Sequence, residues 1–123
     1  MPLIKIYIDV AQAYDALSVL EIKKFQSKEI SIKNKLIEQI KELRQSINIA
    51  LRYDLAKRIY DSIEYKNLYK VNYDLFKLID DCKKIDIDAK EIDILNHKRF
   101  EAKQQLQNKF FGKELEEIKL GYE

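Results

Sequence analysis

Residues 31–64 read SIKNKLIEQIKELRQSINIALRYDLAKRIYDSIE, and the way this stretch is divided decides the fold. Leu36, Ile40, Leu43, Ile47 and Ala50 recur at spacings of three and four. At ~100° per residue such a spacing lines up one side of a helix. Beyond Leu51 the stripe drifts, because Asp54 falls where an apolar residue should be and Leu55, Ile59 and Ile63 mark a rotated face. The pattern predicts one long helix over 31–64, with a bend or break near Arg52–Asp54 that no Gly or Pro forces.

Working outward, Leu68, Val71, Leu75, Leu78, Ile79 and Cys82 form the stripe of a further helix over 67–84, with Phe76 beside it. Asp86 and Asp88 then offer turn and cap residues, and a last long helix runs over 89–111. Gly112 is its natural stop, since glycine adopts a left-handed cap at low cost. Toward the N-terminus, Val10, Ala13, Tyr14, Leu17, Leu20 and Lys24 share one side of a helix over 10–25, with Asp9 as its cap, while Ser27 and Ser31 are the next capping candidates. Residues 3–8, LIKIYI, alternate with period two and read as a short strand. A lone strand leaves its backbone groups unpaired, so it needs a second copy, the C-terminal EIKLGYE or a partner protein. The expected object is a single all-α domain over 1–123: a helical bundle or long helical hairpin of about four helices, with a short N-terminal β-strand.

Composition narrows the function. The chain has 123 residues, 46% hydrophobic and 36% charged, with two glycines and one proline. So few turn residues argue against an all-β fold. Net charge is +2, from 23 bases against 21 acids, which gives little support to nucleic-acid binding through a strongly basic face. No apolar run approaches the ~20 residues of a membrane span, and the cytoplasm is the expected compartment. The single Cys82 excludes an internal disulfide, and the single His97 excludes a histidine-based metal site. No glycine-rich phosphate loop, HExxH or GxSxG motif is present, and no metal or other cofactor is expected.

Polar residues interrupt the apolar faces at a few positions. With Ile92 at the origin, Leu95, Ala102, Leu106 and Phe110 lie within roughly 80° on one side of the last helix. Arg99 sits in the middle of that side, Asn96 and Lys103 on its flank, and His97 nearly opposite, where it reads as solvated. A guanidinium facing a core needs a carboxylate and further acceptors. Glu21 is equally out of place on the first helix, and Asn72 flanks the stripe of the third. These residues suggest a polar layer in which Glu21 pairs with Arg99 while Asn72 and Asn96 complete the hydrogen bonds. Such a layer either fixes helix register or forms a ligand site using Glu21, Asn72, Asn96, Arg99 and Lys103.

The other candidates are thinner. Arg44, Arg52 and Arg58 could cradle an anion, but their spacing does not hold them on one helix face. Tyr60, Tyr65, Tyr69 and Tyr73, interleaved with Lys57, Arg58, Lys66 and Lys70, could stack bases; a protein interface is the reading their composition favours. Asp80–Asp81 and Asp86–Asp88 lack the rest of a calcium loop and read as caps and solvated groups.

Three blocks carry a family resemblance: YDALSVLEIKKF (14–25), LYKVNYDLFKLIDDCKK (68–84) and NHKRFEAKQQLQNKFFGKELEEIKLGYE (96–123). Together they resemble a family of small uncharacterised bacterial and phage proteins with "DKITILEIK", "VNxxLWxxEDxIR" and "NDxRAxxKxxIN…EEKSY" blocks, a domain of unknown function. Asp15, Glu21 and Lys23 match the first block, Asn72, Leu75, Asp80 and Asp81 the second, and Asn96, Arg99, Lys103, Glu117 and Lys119 the third. Ala16, Phe76, Ile79 and His97 depart from it. The resemblance implies no activity, cofactor or substrate. The expected function is a small helical protein–protein interaction or structural module acting as a homodimer through coiled-coil-like packing, with no membrane and no nucleic-acid partner. The alternative is a small-anion binder or enzyme using the layer around Arg99 and Glu21.

Overall fold

The computed structural model describes residues 2–4, 7–82 and 89–112, and it is an all-helical bundle. Its helices are α1 (Val10–Gln26), α2 (Ile30–Leu51), α3 (Tyr53–Tyr60), α4 (Ile63–Cys82) and α5 (Ala89–Phe110). Helix α1 starts where Asp9 Oδ1 accepts the Gln12 backbone N–H at 2.7 Å. Residues 27–29 then join it to α2, short enough to lay the two side by side as an αα-hairpin.

The stretch expected as a helix over 31–64 is divided into α2, α3 and the first residues of α4: the break that Asp54 signals near Arg52–Asp54 is present, and a second one is unexpected. The first break is at Arg52, with φ 68 and ψ 153, a region close to glycine-only that costs a non-glycine residue on the order of 1–3 kcal/mol. Continuing the helix would carry Asp54 onto the buried stripe; the break places Asp54 in the first turn of α3, where a carboxylate faces the positive end of the helix dipole. The second break, at Asp61–Ser62, also moves the start of the next helix from the expected 67 to Ile63. Ser62 Oγ accepts the Tyr65 N–H at 3.1 Å and caps α4.

The N-terminal strand expected over 3–8 is corrected as well: no strand occurs among the described residues. Leu3 is 93% and Tyr7 106% exposed, and no neighbouring strand supplies the ladder that an extended segment requires. Lys5 and Ile6, the candidate caps Asp86 and Asp88, residues 83–84 of the expected third helix, and the C-terminal EIKLGYE lie outside the described residues.

Helix α1 is the hub. It packs on α2, α4 and α5, while α4 and α5 form the most extensive pair and α3 rests on α2 and α4. The core gathers Tyr14 and Leu17 of α1, Ile40 and Ile47 of α2, Ile59 of α3, Leu68 of α4 and Leu106 of α5. Being covered from several sides, α1 buries a second stripe, Ala11, Asp15, Ser18 and Ile22, beside the one its apolar spacing marks. Burying a large apolar side chain stabilises by about 1.5–3 kcal/mol, so every helix has a reason to stay docked. None of the described helices is long and apolar enough to cross a membrane.

Candidate functional site: two polar clusters on the central helix

The second stripe of α1 carries the first cluster. Asp15 is 1% exposed and Ser18 fully buried, both facing Asn72 of α4, itself 1% exposed. Arg99 of α5 donates from Nε to Asp15 Oδ1 at 2.9 Å and from Nη2 to Asp15 Oδ2 at 2.6 Å. This two-pronged fork is the geometry that a guanidinium makes best with a carboxylate. Asn72 Nδ2 donates to Asp15 Oδ1 at 2.9 Å and to Ser18 Oγ at 2.7 Å. Ser18 Oγ in turn donates to the Asp15 carbonyl at 2.7 Å. Burial alone would push the Asp15 carboxyl up; the hydrogen bonds from Arg99 and Asn72, with the charges of Arg99 and Lys103, outweigh it and hold the group below its ordinary value.

At the edge of this cluster Lys103 Nζ donates to Gln12 Oε1 at 2.5 Å, and Gln107 Oε1 accepts the Ala11 backbone N–H at 3.0 Å. Asn72 Oδ1 and Gln107 Nε2 are buried without a hydrogen-bond partner among the described residues.

Glu21 heads a separate cluster. Its Oε2 and Oε1 accept the hydroxyls of Tyr60 and Tyr65, each at 2.9 Å. The Tyr60 and Tyr65 rings lie 5.1 Å apart, and Tyr65 meets Tyr14 edge-on at 5.6 Å. Burial, reinforced by Glu21, raises the pKa of both Tyr60 and Tyr65, and burial pushes Tyr14 up to about 12. All three phenols therefore stay protonated as donors, Tyr14 to the Ala56 carbonyl at 2.8 Å.

The expected layer is thus split. Asn72, Arg99 and Lys103 gather around Asp15, whereas Glu21 binds tyrosines and does not pair with Arg99. Asn96 is exposed and stands outside both clusters. His97 is also exposed, its Nε2 2.7 Å from Glu101 Oε1 on the same helix. Asp15 and Ser18 join the cluster although the apolar stripe of α1 does not mark them; their spacing with Ala11 and Ile22, four, three and four residues, is the signal in the sequence that does. Among the described residues no group of three or more His, Cys, Asp or Glu is placed to hold a metal ion.

Compared with family models, with curated proteins and with solved structures, the chain gives no match.

Proposed function

We propose that this chain is a protein–protein interaction module that works as a homodimer in the cytoplasm, with the Asp15 cluster holding helices in register. One observation carries this reading: the apolar corner where α1 turns into α2. There Phe25 is 75%, Ile30 77%, Ile32 47% and Ile37 43% exposed. Phe25 also lines a shallow groove with Tyr69, Lys70 and Tyr73 of α4, so apolar surface from three helices meets at this end. Exposed patches of this kind mark interaction surfaces.

Charge favours a second copy as the occupant. At a net +2, two copies approach with little long-range repulsion. The corner also sets Lys28 beside Glu29, and in a two-fold contact, where one patch meets itself, such a pair can set each charge against its opposite on the other copy. The single cysteine suits a reducing compartment. The resemblance to the uncharacterised family fits the same reading, because the matched positions Asp15, Asn72, Arg99 and Lys103 are those the α1–α4–α5 network uses.

Anion binding or catalysis around Arg99 and Glu21 is the weaker reading: Arg99 directs its fork at Asp15, Lys103 reaches Gln12, and Glu21 is occupied by two phenols. Sedimentation equilibrium tests the proposal. The wild-type chain should show dimer mass at high micromolar concentration, and Phe25→Glu with Ile30→Glu should return it to monomer with helicity unchanged. A wild-type monomer at every concentration contradicts the proposal. A mobility shift with single-stranded DNA or RNA that weakens steeply with salt would point to the tyrosine–lysine face as a nucleic-acid surface instead.

A further inference from the structure

The break at Arg52 turns α3 back toward α2 and opens a cleft of ≈ 210 Å³ between them. Its floor is apolar, with Leu17, Ile47 and Ala56, and its walls include Tyr14, Tyr53 and Tyr60. The floor is also fixed, because the buried Tyr14 hydroxyl ties α1 to the Ala56 carbonyl of α3 at 2.8 Å.

Two cations reach this cleft in different states. Lys57 is paired with Asp61 at 2.7 Å. Arg44 has no carboxylate partner among the described residues; its guanidinium lies 4.3 Å above the centre of the Tyr60 ring. Stacking on an aromatic face orients a guanidinium without neutralising it. Asp61 also lines the cleft and feels the charge of Arg44 as well as that of Lys57. Two cations against one carboxylate leave a net positive charge beside aromatic walls, with Arg44 as its oriented bearer, and a side-chain amide, Asn48, adds a neutral hydrogen-bonding group. Binding sites combine an apolar body with a few placed polar groups in this way, and this one is smaller than the ~300–1,000 Å³ of sites for drug-sized molecules.

We propose that the α2–α3 cleft is a binding site for a small organic acid, a flat apolar body bearing one carboxylate or phosphate that docks on Arg44. The ring lies among Tyr53, Tyr60 and the Ile47–Ala56 floor, and the acid group takes the fork of the guanidinium. This site is independent of the dimer surface at Phe25 and Ile30, so either assignment stands without the other. The backbone at Arg52 belongs to the site indirectly: its positive φ sets the angle that brings residues of α2 and α3 to face each other, and strain of this kind tends to be kept where function uses it.

Phenyl phosphate titrated into the isotope-labelled full chain tests the assignment by amide chemical shifts. Saturable shifts should be confined to residues 44–48 and 53–61 and to Tyr14 and Leu17 of α1, which also line the cleft. Arg44→Gln should weaken binding about tenfold or more, as loss of a charge-assisted fork does. Tyr53→Ala, at an exposed rim position, should weaken it less, and Arg58→Gln, outside the cleft lining, should leave it unchanged. Inorganic phosphate, which lacks the ring, should bind about tenfold or more weakly. No saturable shift in the cleft overturns the proposal; so does an equal loss in Arg44→Gln and Arg58→Gln, which would mean unspecific charge attraction, or equal affinity for inorganic phosphate.

Discussion

Asp15 and Glu21 lie less than two turns apart on α1, and the same carboxylate chemistry meets two different surroundings. Asp15 is buried and faces a cation, Arg99, with Asn72 as a second donor. Glu21 is half-buried and faces two neutral phenols. A buried ion pair stabilises little relative to an apolar replacement, yet losing one member leaves an uncompensated charge behind. A carboxylate held by neutral donors at a half-exposed edge can regain water when they are lost. The two clusters should therefore respond very differently to substitution.

Asp15→Ala should cost most, about 2–3 kcal/mol, read as a lowered midpoint in urea, because it takes an acceptor from the buried Asn72 amide and leaves Arg99, whose side chain is 32% exposed, only partly hydrated. Tyr65→Phe should cost about 0.5–1.5 kcal/mol, because one hydrogen bond is removed and Glu21 keeps the Tyr60 hydroxyl. Glu21→Gln, which retains an acceptor oxygen, should fall at or below the lower end of that range. His97→Ala, on the solvent side of α5, should stay within about 0.5 kcal/mol of wild type. If Glu21→Gln proved as damaging as Asp15→Ala, the distinction between the clusters would fail.

The clusters also separate in pH. The Asp15 carboxyl is held below its ordinary value, so its contribution is complete above the ordinary carboxylate pKa of about 4 and is lost as pH falls through the depressed value. Asp15→Asn should flatten this acid limb of the stability profile. Tyr14, Tyr60 and Tyr65 are raised, so their contribution is complete below the ordinary phenol pKa of about 10 and is lost as pH rises through the raised values. Urea midpoints measured across pH should thus show an alkaline limb that Tyr65→Phe weakens and Asp15→Asn leaves in place.

Much of the bundle was legible in the sequence. The stripe Ala102–Leu106 and its interruption by Arg99 on α5 follow from spacing alone, and so does a polar partner on α1 for that arginine. The identity of the partner did not follow. α1 is covered by three other helices and buries two stripes, so a wheel that looks for one apolar side discards Asp15 and Ser18 as solvent-facing and keeps Glu21. The break at Arg52 was hinted at by Asp54 out of phase, but a non-glycine residue at φ 68 has no local signature. The cleft that it opens was hidden for the same reason: Arg44 and Tyr60 face each other only after the chain turns. LIKIYI misled because alternation shows which faces a strand would have, not whether a neighbouring strand exists to pair with it.

A double-mutant cycle on Asp15→Asn and Arg99→Met tests the central claim most directly, that the Asp15–Arg99 fork fixes α1 against α5. The two single variants should each lower the urea midpoint, and the double variant should lie well above their sum, with a coupling energy of about 2–3 kcal/mol. Losses that add to within about 0.5 kcal/mol would contradict the account and leave the fork without a structural role.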